Sequence, residues 1–331
     1  MKAIKYTEYG PPEVLKLTEL EKPIPKDNEI LIKIHATTVN YGDLTARNFK
    51  NIPANKFNMP LPLMIPARLM FGFSKPKKGI LGSEFAGEIE AVGKYVKRFK
   101  KGDKVFGYRG QAMGCYAEYL AMPENGAIAL KPENMTFEEA ASIPYGALMA
   151  MNLLKKVKIY SSSKVLVNGA SGGIGSAAVQ LLRHYGAEVT GVAGTPRLNF
   201  VKSLGADIVI DYKKEDFTKN GESYDIIFDV LNKSKFRNAK KALHETGIYF
   251  PVSFKTREML QSLGMRFFNG RKVVFGLAAE KSEDLDTIRD LVEQGKMKTS
   301  IDKVFLLEQA AEAHKYVESG QKQGNVVIKI N

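Results

Sequence analysis

The run Lys164-Val165-Leu166-Val167-Asn168-Gly169-Ala170-Ser171-Gly172-Gly173-Ile174-Gly175 carries the clearest chemistry in this chain. An apolar, β-branched stretch enters a glycine-rich turn. An amphipathic segment follows, with Ala177, Ala178, Leu181 and Leu182 on one side. Glycine lets the main chain turn sharply and lets an anion approach bare amides. A helix start adds unpaired N–H groups and the positive end of a dipole. The expectation is a pyrophosphate cradle for a dinucleotide, built from Gly169, Ser171, Gly172, Gly173 and Ile174. The pattern reads Ala170-x-Gly172-x-x-Gly175, so its first position departs from the strict glycine form. A second apolar run, Glu188 to Ala193, closes a strand–helix–strand unit around it.

The end of that second strand selects between nicotinamide cofactors. An NAD site usually puts Asp or Glu there, accepting from the ribose 2′-hydroxyl. No acid occurs from Val189 to Ala206, and the segment reads Gly194-Thr195-Pro196-Arg197. An arginine can fork onto a 2′-phosphate and a threonine hydroxyl can add a bond, so Arg197 and Thr195 point to NADP(H). The other reading of Arg197 is an ordinary solvated arginine at a helix start.

These groups need a scaffold. From Val165 on, strand candidates (Val165–Asn168, Val189–Ala193, Ile208–Asp211, Tyr224–Val230, Gly247–Val252, Lys272–Leu277) alternate with helical segments, which predicts a doubly wound parallel sheet. The first third reads as β structure, with Glu29 to Ala36 alternating apolar and polar residues. Asn51 to Pro66 holds four prolines and predicts a loop or a set of turns, continued by the partly apolar Ala67 to Lys78. Thr136 to Val157 reads as helix, with Thr136 and Glu139 spaced as a capping box. A helix near Glu283–Gln294, a strand near Val304, a helix over Leu307–Glu318 and a strand Asn325–Ile330 finish the chain, the last strand returning to the N-terminal domain.

The 331 residues suffice for two domains with real cores. The single cysteine excludes an internal disulfide, no apolar run approaches a bilayer span, and Met1 to Tyr6 lack the apolar core of a signal peptide. Together these suggest a cytoplasmic protein with no membrane partner. The formal charge of +13 gathers in lysine clusters at Lys75, Lys77 and Lys78 and from Lys94 to Lys104. Such patches can hold nucleic acid. No aromatic-interleaved basic strand or recognition helix accompanies them, so a solvated lysine-rich face is the favoured reading.

The chain resembles the medium-chain dehydrogenase/reductase superfamily, and within it the zinc-free quinone oxidoreductase (zeta-crystallin-like) group. The ordered pieces are Met1-Lys2-Ala3-Ile4 with Tyr9 to Leu15, Val39-Asn40-Tyr41-Gly42-Asp43, Gly82 to Ile89, Lys101 to Gly107, Tyr116-Ala117-Glu118-Tyr119, the nucleotide turn, and Leu204-Gly205-Ala206-Asp207. The resemblance implies an α/β protein. Its Rossmann domain (125–280) would interrupt a β-rich GroES-like substrate domain (1–124 and 281–331). It also implies hydride transfer from NADPH to a quinone or another α,β-unsaturated carbonyl in a cleft between the domains, and a homodimer.

Further roles follow from the same resemblance. Asn40 matches a residue near the nicotinamide and the substrate carbonyl, though its type and place also suit a helix cap. Tyr41 and Tyr108 are candidate proton donors or pocket walls. Tyr212 matches a tyrosine near the adenosine and its 2′-phosphate. Val252 and Ser253 match main-chain contacts to the nicotinamide, and Phe275 and Asn325 match positions near the nicotinamide ribose. Zinc relatives carry Gly-His-Glu where this chain has Gly82-Ser83-Glu84, and a cysteine where Asn40 stands. Only Cys115 and the scattered His35, His184, His244 and His314 remain as soft ligands, so no metal is expected. Asp43 is read as structural, pairing with Arg47, and Cys115 as a small buried residue. Two other functions stay open: a zinc-free NADPH-dependent alcohol or aldehyde reductase, and an NADPH- and RNA-binding protein without turnover.

Overall fold

A computed structural model describes residues 1–53, 60–265, 270–279 and 281–330. They fall into two compact units. Residues 1–53, 66–145 and 281–330 form the first; residues 60–65, 146–265 and 270–279 form the second.

In the first unit, β1 (Lys2–Lys5) and β2 (Lys16–Glu19) make a short antiparallel pair. The main sheet contains β3 (Glu29–Thr38), β4 (Glu84–Val92), β5 (Lys104–Tyr108), β6 (Tyr119–Pro123), β7 (Ala127–Leu130), β14 (Ile301–Leu306) and β15 (Asn325–Lys329). The order is β14-β15-β3-β4-β5-β7, with β6 also on β3. The closing strand β15 does return to this unit, antiparallel to β3 and parallel to β14. Ile30, Ile32 and Ile34 point the same way along β3, as the two-residue period requires. They form a core with Phe85, Ile89 and Ile328. Helices α1 (Tyr41–Arg47), α2 (Met64–Phe71), α3 (Phe137–Ala141), α9 (Ser282–Glu293) and α10 (Ala310–Glu318) accompany these strands in the chain.

The second unit carries six parallel strands, β8 (Lys164–Asn168), β9 (Glu188–Ala193), β10 (Ile208–Asp211), β11 (Tyr224–Asp229), β12 (Leu243–Pro251) and β13 (Lys272–Val273), in the order β10-β9-β8-β11-β12-β13. This is the expected doubly wound sheet, with its order reversing at β8. Helices α4 (Pro144–Leu154), α5 (Gly173–His184), α6 (Leu198–Ser203), α7 (Phe236–Ala239) and α8 (Thr256–Met265) connect or flank its strands. Register brings Asn168, Ala193, Asp211, Asp229 and Pro251 to one edge, the carboxyl ends of the strands.

Several expectations change. Residues 125–145 group with the first unit rather than the second, because β7 pairs with β5 and the neighbours of α3 are β3 and β4. The helix expected from Thr136 to Val157 is two helices, since Pro144 has no N–H to continue the first. The capping box forms: Glu139 N–H donates to Thr136 Oγ1 at 3.2 Å, and Thr136 N–H to Glu139 Oε2 at 2.9 Å. The proline-rich excursion yields α2, with Pro66 in the first turn where the missing N–H has no partner to lose. Its residues 54–59 lie outside the described part. Strand β12 begins earlier than expected, and β13 is only two residues long. Among the described residues no helix is long and apolar enough to cross a membrane.

Candidate functional site

The second unit presents the glycine turn expected to cradle a phosphate. Gly169 has a φ of +89°, and a Cβ there would stand 2.7 Å from Leu231. A Cβ on Gly175 would lie 2.1 Å from Gly169 O, so only glycine lets α5 close onto the turn. At Gly172 a Cβ would meet only Gly169 O, at 3.6 Å. This is the open face of the turn, and Ser171 to Ile174 are partly exposed along it. Gly172 caps α5 without a side-chain acceptor, so no cap side chain competes for the amides of the first turn. Gly146 of α4 braces the turn from another side: its Cβ would sit 2.5 Å from Gly173 O. These features fit a pyrophosphate, by the rule that helix starts bind anions.

Beside the cradle lies a cavity of about 350 Å³, lined by Asn168, Val192, Tyr212, Phe217, Leu231 and Ser234, among others. Val192, Phe217 and Leu231 give it an apolar side and Glu215, Asp216 and Lys233 a charged one; a cavity at the carboxyl edge of such a sheet suits the adenosine end of a dinucleotide. Tyr212 is exposed, and its ring lies near Gly194, where a Cβ would meet Tyr212 Cε1 at 3.3 Å. Asp229, which the sequence reading missed, shapes this wall. Its buried carboxylate accepts from Asn168 Nδ2 at 2.9 Å, Leu231 N–H at 3.2 Å, Ser234 N–H at 3.0 Å and Tyr249 Oη at 2.8 Å. Burial pushes its pKa up, while these bonds oppose the shift.

Thr195 brings a correction. Its hydroxyl donates to Asp211 Oδ2 at 2.6 Å, so the hydrogen expected for a phosphate is already committed. Asp211 accepts Lys213 N–H as well, at 3.0 Å, and the Thr195 bond holds its pKa below the usual value. The partner carboxylate comes from the neighbouring strand, beyond the acid-free segment Val189 to Ala206. Arg197 stands one 3-10 turn on, its N–H bonded to Gly194 O at 2.8 Å. At the end of β12, Val252 N–H donates to Asp229 O at 3.0 Å, with Ser253 next in the chain. Phe275 packs on Phe254, ring centroids 4.2 Å apart.

The first unit gathers a second group around Asn40. Asn40 caps α1: its Oδ1 accepts Gly42 N–H at 2.8 Å and Asp43 N–H at 3.3 Å. This fixes the amide orientation, so Nδ2 donates to Ser83 Oγ at 2.7 Å. Ser83, as acceptor, keeps its own hydroxyl hydrogen to donate. Glu84 accepts from the Thr38 hydroxyl and, at 2.7 Å, from Tyr145 N–H. Burial pushes both Asp43 and Glu84 up to about 7.

Asp43 does not pair with Arg47 as expected. Its carboxylate accepts Asn40 N–H at 3.0 Å and Gly82 N–H at 3.1 Å. Arg47 instead reaches Gly10 O at 3.1 Å, His314 Nδ1 at 2.9 Å and the carboxylate of Glu318. The one-turn spacing put Asp43 and Arg47 on neighbouring positions, but the carboxylate turns back to complete the capping box.

The other expected residues divide. Tyr41 opens α1 with 60 % of its surface exposed. Tyr108 is buried at the end of β5, its ring 6.1 Å from that of Tyr145, which the sequence reading passed over. Asn325 Nδ2 donates to Thr299 Oγ1 at 2.9 Å and Ser142 O at 3.3 Å. Both amide hydrogens therefore stay within the unit, and only the Asn325 side-chain oxygen remains for a ligand. Cys115 is fully buried, as expected.

A zinc ion does not fit the group at Asn40. The amide nitrogen and Ser83 bond to each other, and Glu84 is engaged by Thr38 and Tyr145. Among the described residues no cluster of three His, Cys, Asp or Glu side chains could hold a metal.

A GroES-like sheet and a separate Rossmann sheet in one chain define the class, and the comparisons agree. Residues 26–132 match the model of the alcohol dehydrogenase GroES-like domain, and residues 204–328 that of the zinc-binding dehydrogenases. The chain belongs to the quinone oxidoreductase group of the medium-chain dehydrogenase/reductase superfamily. It is 33 % identical to a 2-methylene-furan-3-one reductase of Solanum lycopersicum, over 99 % of this chain and 79 % of that protein. It is 30 % identical to an NADPH-dependent alkenal/one oxidoreductase of Arabidopsis thaliana, with the same two coverages. Among solved structures it resembles the quinone oxidoreductase from Coxiella burnetii, with a TM-score of 0.85, 30 % identity, and 100 % and 99 % of the two chains covered.

Proposed function

We propose that this protein is an NADPH-dependent reductase of quinones or other α,β-unsaturated carbonyls that works without zinc. The observation that carries the reading is the uncapped start of α5 behind the bare face of Gly172, a fit for a dinucleotide pyrophosphate. A bound dihydronicotinamide supplies hydride. The relatives' names support a conjugated carbonyl as the acceptor.

Each set of residues then has a defined task. Gly173 and Ile174 would hold the pyrophosphate through main-chain N–H groups, while the Gly172 N–H closes the turn onto Gly169 O at 3.2 Å. Arg197 and Tyr212 take the 2′-phosphate end, which makes NADPH the preferred form. Ser83 donates its hydroxyl hydrogen to the acceptor oxygen, and Asn40, donating into Ser83 Oγ, strengthens that donor. A conjugated acceptor needs no more than such a donor, because its oxygen becomes an enolate or hydroquinone already stabilised by conjugation. Oxidation of a simple alcohol is helped by a metal that lowers the hydroxyl pKa, and among the described residues no cluster of three His, Cys, Asp or Glu side chains could hold one. The homodimer and the cytoplasmic location rest on the family resemblance and on the reduced, single-cysteine composition.

The test is steady-state oxidation of NADPH and NADH with a quinone, an enone and a saturated aldehyde, each with and without a strong chelator. The proposal expects turnover with the first two acceptors, preference for NADPH and no chelator effect. Equal turnover on the saturated aldehyde would favour an alcohol or aldehyde reductase. Loss of activity with chelator would reinstate a metal.

A further inference from the structure

We propose that α2 and the turn after it seat the protein on an anionic lipid surface. The helix is apolar on two opposite sides. On one side Ala67 is buried and Phe71 packs on Phe49, with centroids 5.0 Å apart. On the other, Ile65 and Leu69, four residues apart and so on one face, are 65 % and 55 % exposed. Just past the helix, Phe73 is 55 % exposed as well. A helix that is apolar all round is normally covered, and scattered single exposed side chains do not form such a strip.

The strip is held in place. The single Tyr9 hydroxyl hydrogen is shared between Phe71 O at 2.6 Å and Gly72 O at 3.0 Å. Lys77 N–H donates to Phe71 O at 2.8 Å, and Lys77 Nζ to Leu69 O at 2.8 Å. The turn is therefore tied to the core on one side while it presents leucine, isoleucine and phenylalanine on the other.

Charge identifies what covers it. No Asp or Glu occurs between Asp43 and Glu84, in a chain with 36 acidic residues among 331. Arg68, Lys75, Lys77 and Lys78 lie in or just after the helix. An apolar strip in a segment with cations and no acids complements a bilayer with anionic headgroups: the apolar side chains enter the headgroup boundary, and Lys75 and Lys78 meet phosphates. The absence of a spanning run bears on insertion through a bilayer and not on this seating. The inference concerns binding alone and holds whatever the acceptor. If the acceptor is a lipophilic quinone, the surface also brings the enzyme to where that substrate dissolves.

The experiment is co-sedimentation of the full chain with vesicles of phosphatidylcholine alone or mixed with phosphatidylglycerol, at low and high salt. Sedimentation velocity without lipid runs alongside. Binding is expected to the mixed vesicles at low salt and to weaken by about tenfold or more at high salt. Leu69→Asp with Phe73→Asp, and separately Lys75→Glu with Lys78→Glu, should reduce binding by a similar factor with circular dichroism unchanged. Leu260→Asp with Leu263→Asp, on the exposed face of α8, should leave it unaltered. No binding to mixed vesicles, equal binding by all variants, binding to single-stranded RNA in place of vesicles, or a shift in oligomeric state as the only effect of the Leu69 and Phe73 changes would each overturn the proposal.

Discussion

The Thr195 hydroxyl and the Asp211 carboxylate, 2.6 Å apart, join the ends of two neighbouring parallel strands beside the cavity that Tyr212 lines. The bond directs the threonine hydrogen away from any phosphate and leaves that task to Arg197. Thr195→Val should therefore leave the NADPH-to-NADH preference within about twofold, whereas Arg197→Ala should raise the KM for NADPH about tenfold or more and that for NADH little. Steady-state kinetics with both cofactors measures this. A collapse of preference in Thr195→Val would show that the hydroxyl reaches the phosphate after all.

Asn40 combines a cap with a donor, and the two can be separated. Asn40→Ser keeps a capping oxygen, so thermal stability should fall by less than about 1 kcal/mol. It removes the amide donor to Ser83 Oγ. Ser83→Ala removes the hydroxyl and leaves the cap untouched. Both variants should lower kcat for the conjugated acceptor about tenfold or more, with little change in the KM for NADPH. Normal kcat in folded Ser83→Ala would remove Ser83 from the chemistry.

His314 links Arg47 to Tyr116 inside the first unit, 2.9 Å from Arg47 Nη1 and 3.0 Å from Tyr116 Oη. Because Arg47 has only hydrogens to offer, His314 Nδ1 accepts and Nε2 carries the proton. Burial, and then the Arg47 charge, lower its pKa from 6.5 to about 3. The folded state thus binds fewer protons than the unfolded state. Its contribution is complete above pH 6.5 and is lost as pH falls towards 3. Asp43 and Glu84, raised by burial, act in the opposite sense: their folded forms hold protons longer, so stability falls as pH rises from about 4 to about 7. The difference between His314→Gln and the natural chain isolates the histidine. The variant should be less stable by about 1–3 kcal/mol at pH 7.5, and the gap should narrow by pH 4.5. Urea melts at the two pH values test this, and a gap that widens in acid would contradict a neutral His314.

Cys115 sits in the core of the first unit, and burial raises its thiol pKa well above the usual range. A thiol reagent should leave it untouched in the native protein and label one thiol per chain in urea. Fast native labelling would place the residue at the surface.

What was legible in the sequence was local. The glycine turn, the Thr136–Glu139 capping box and the strand–helix alternation depend on backbone conformation within a few residues, and the chain states them directly. Even the return of β15 to the first sheet could be anticipated, because a lone C-terminal strand must find partners. Tertiary structure decided which polar group meets which. Arg47 lies one helical turn from Asp43 yet bonds to His314 and Glu318, more than two hundred and fifty positions away. Thr195 is met by an acid from the next strand, and Asn40 by a serine forty-three residues on. A buried donor or acceptor must be satisfied by whatever the packed sheets bring within about 3 Å, and sequence distance has no part in that requirement. The chain by itself therefore determined the fold class and the glycine turn. The identity of the groups free to touch substrate or cofactor was set only when the strands were in register.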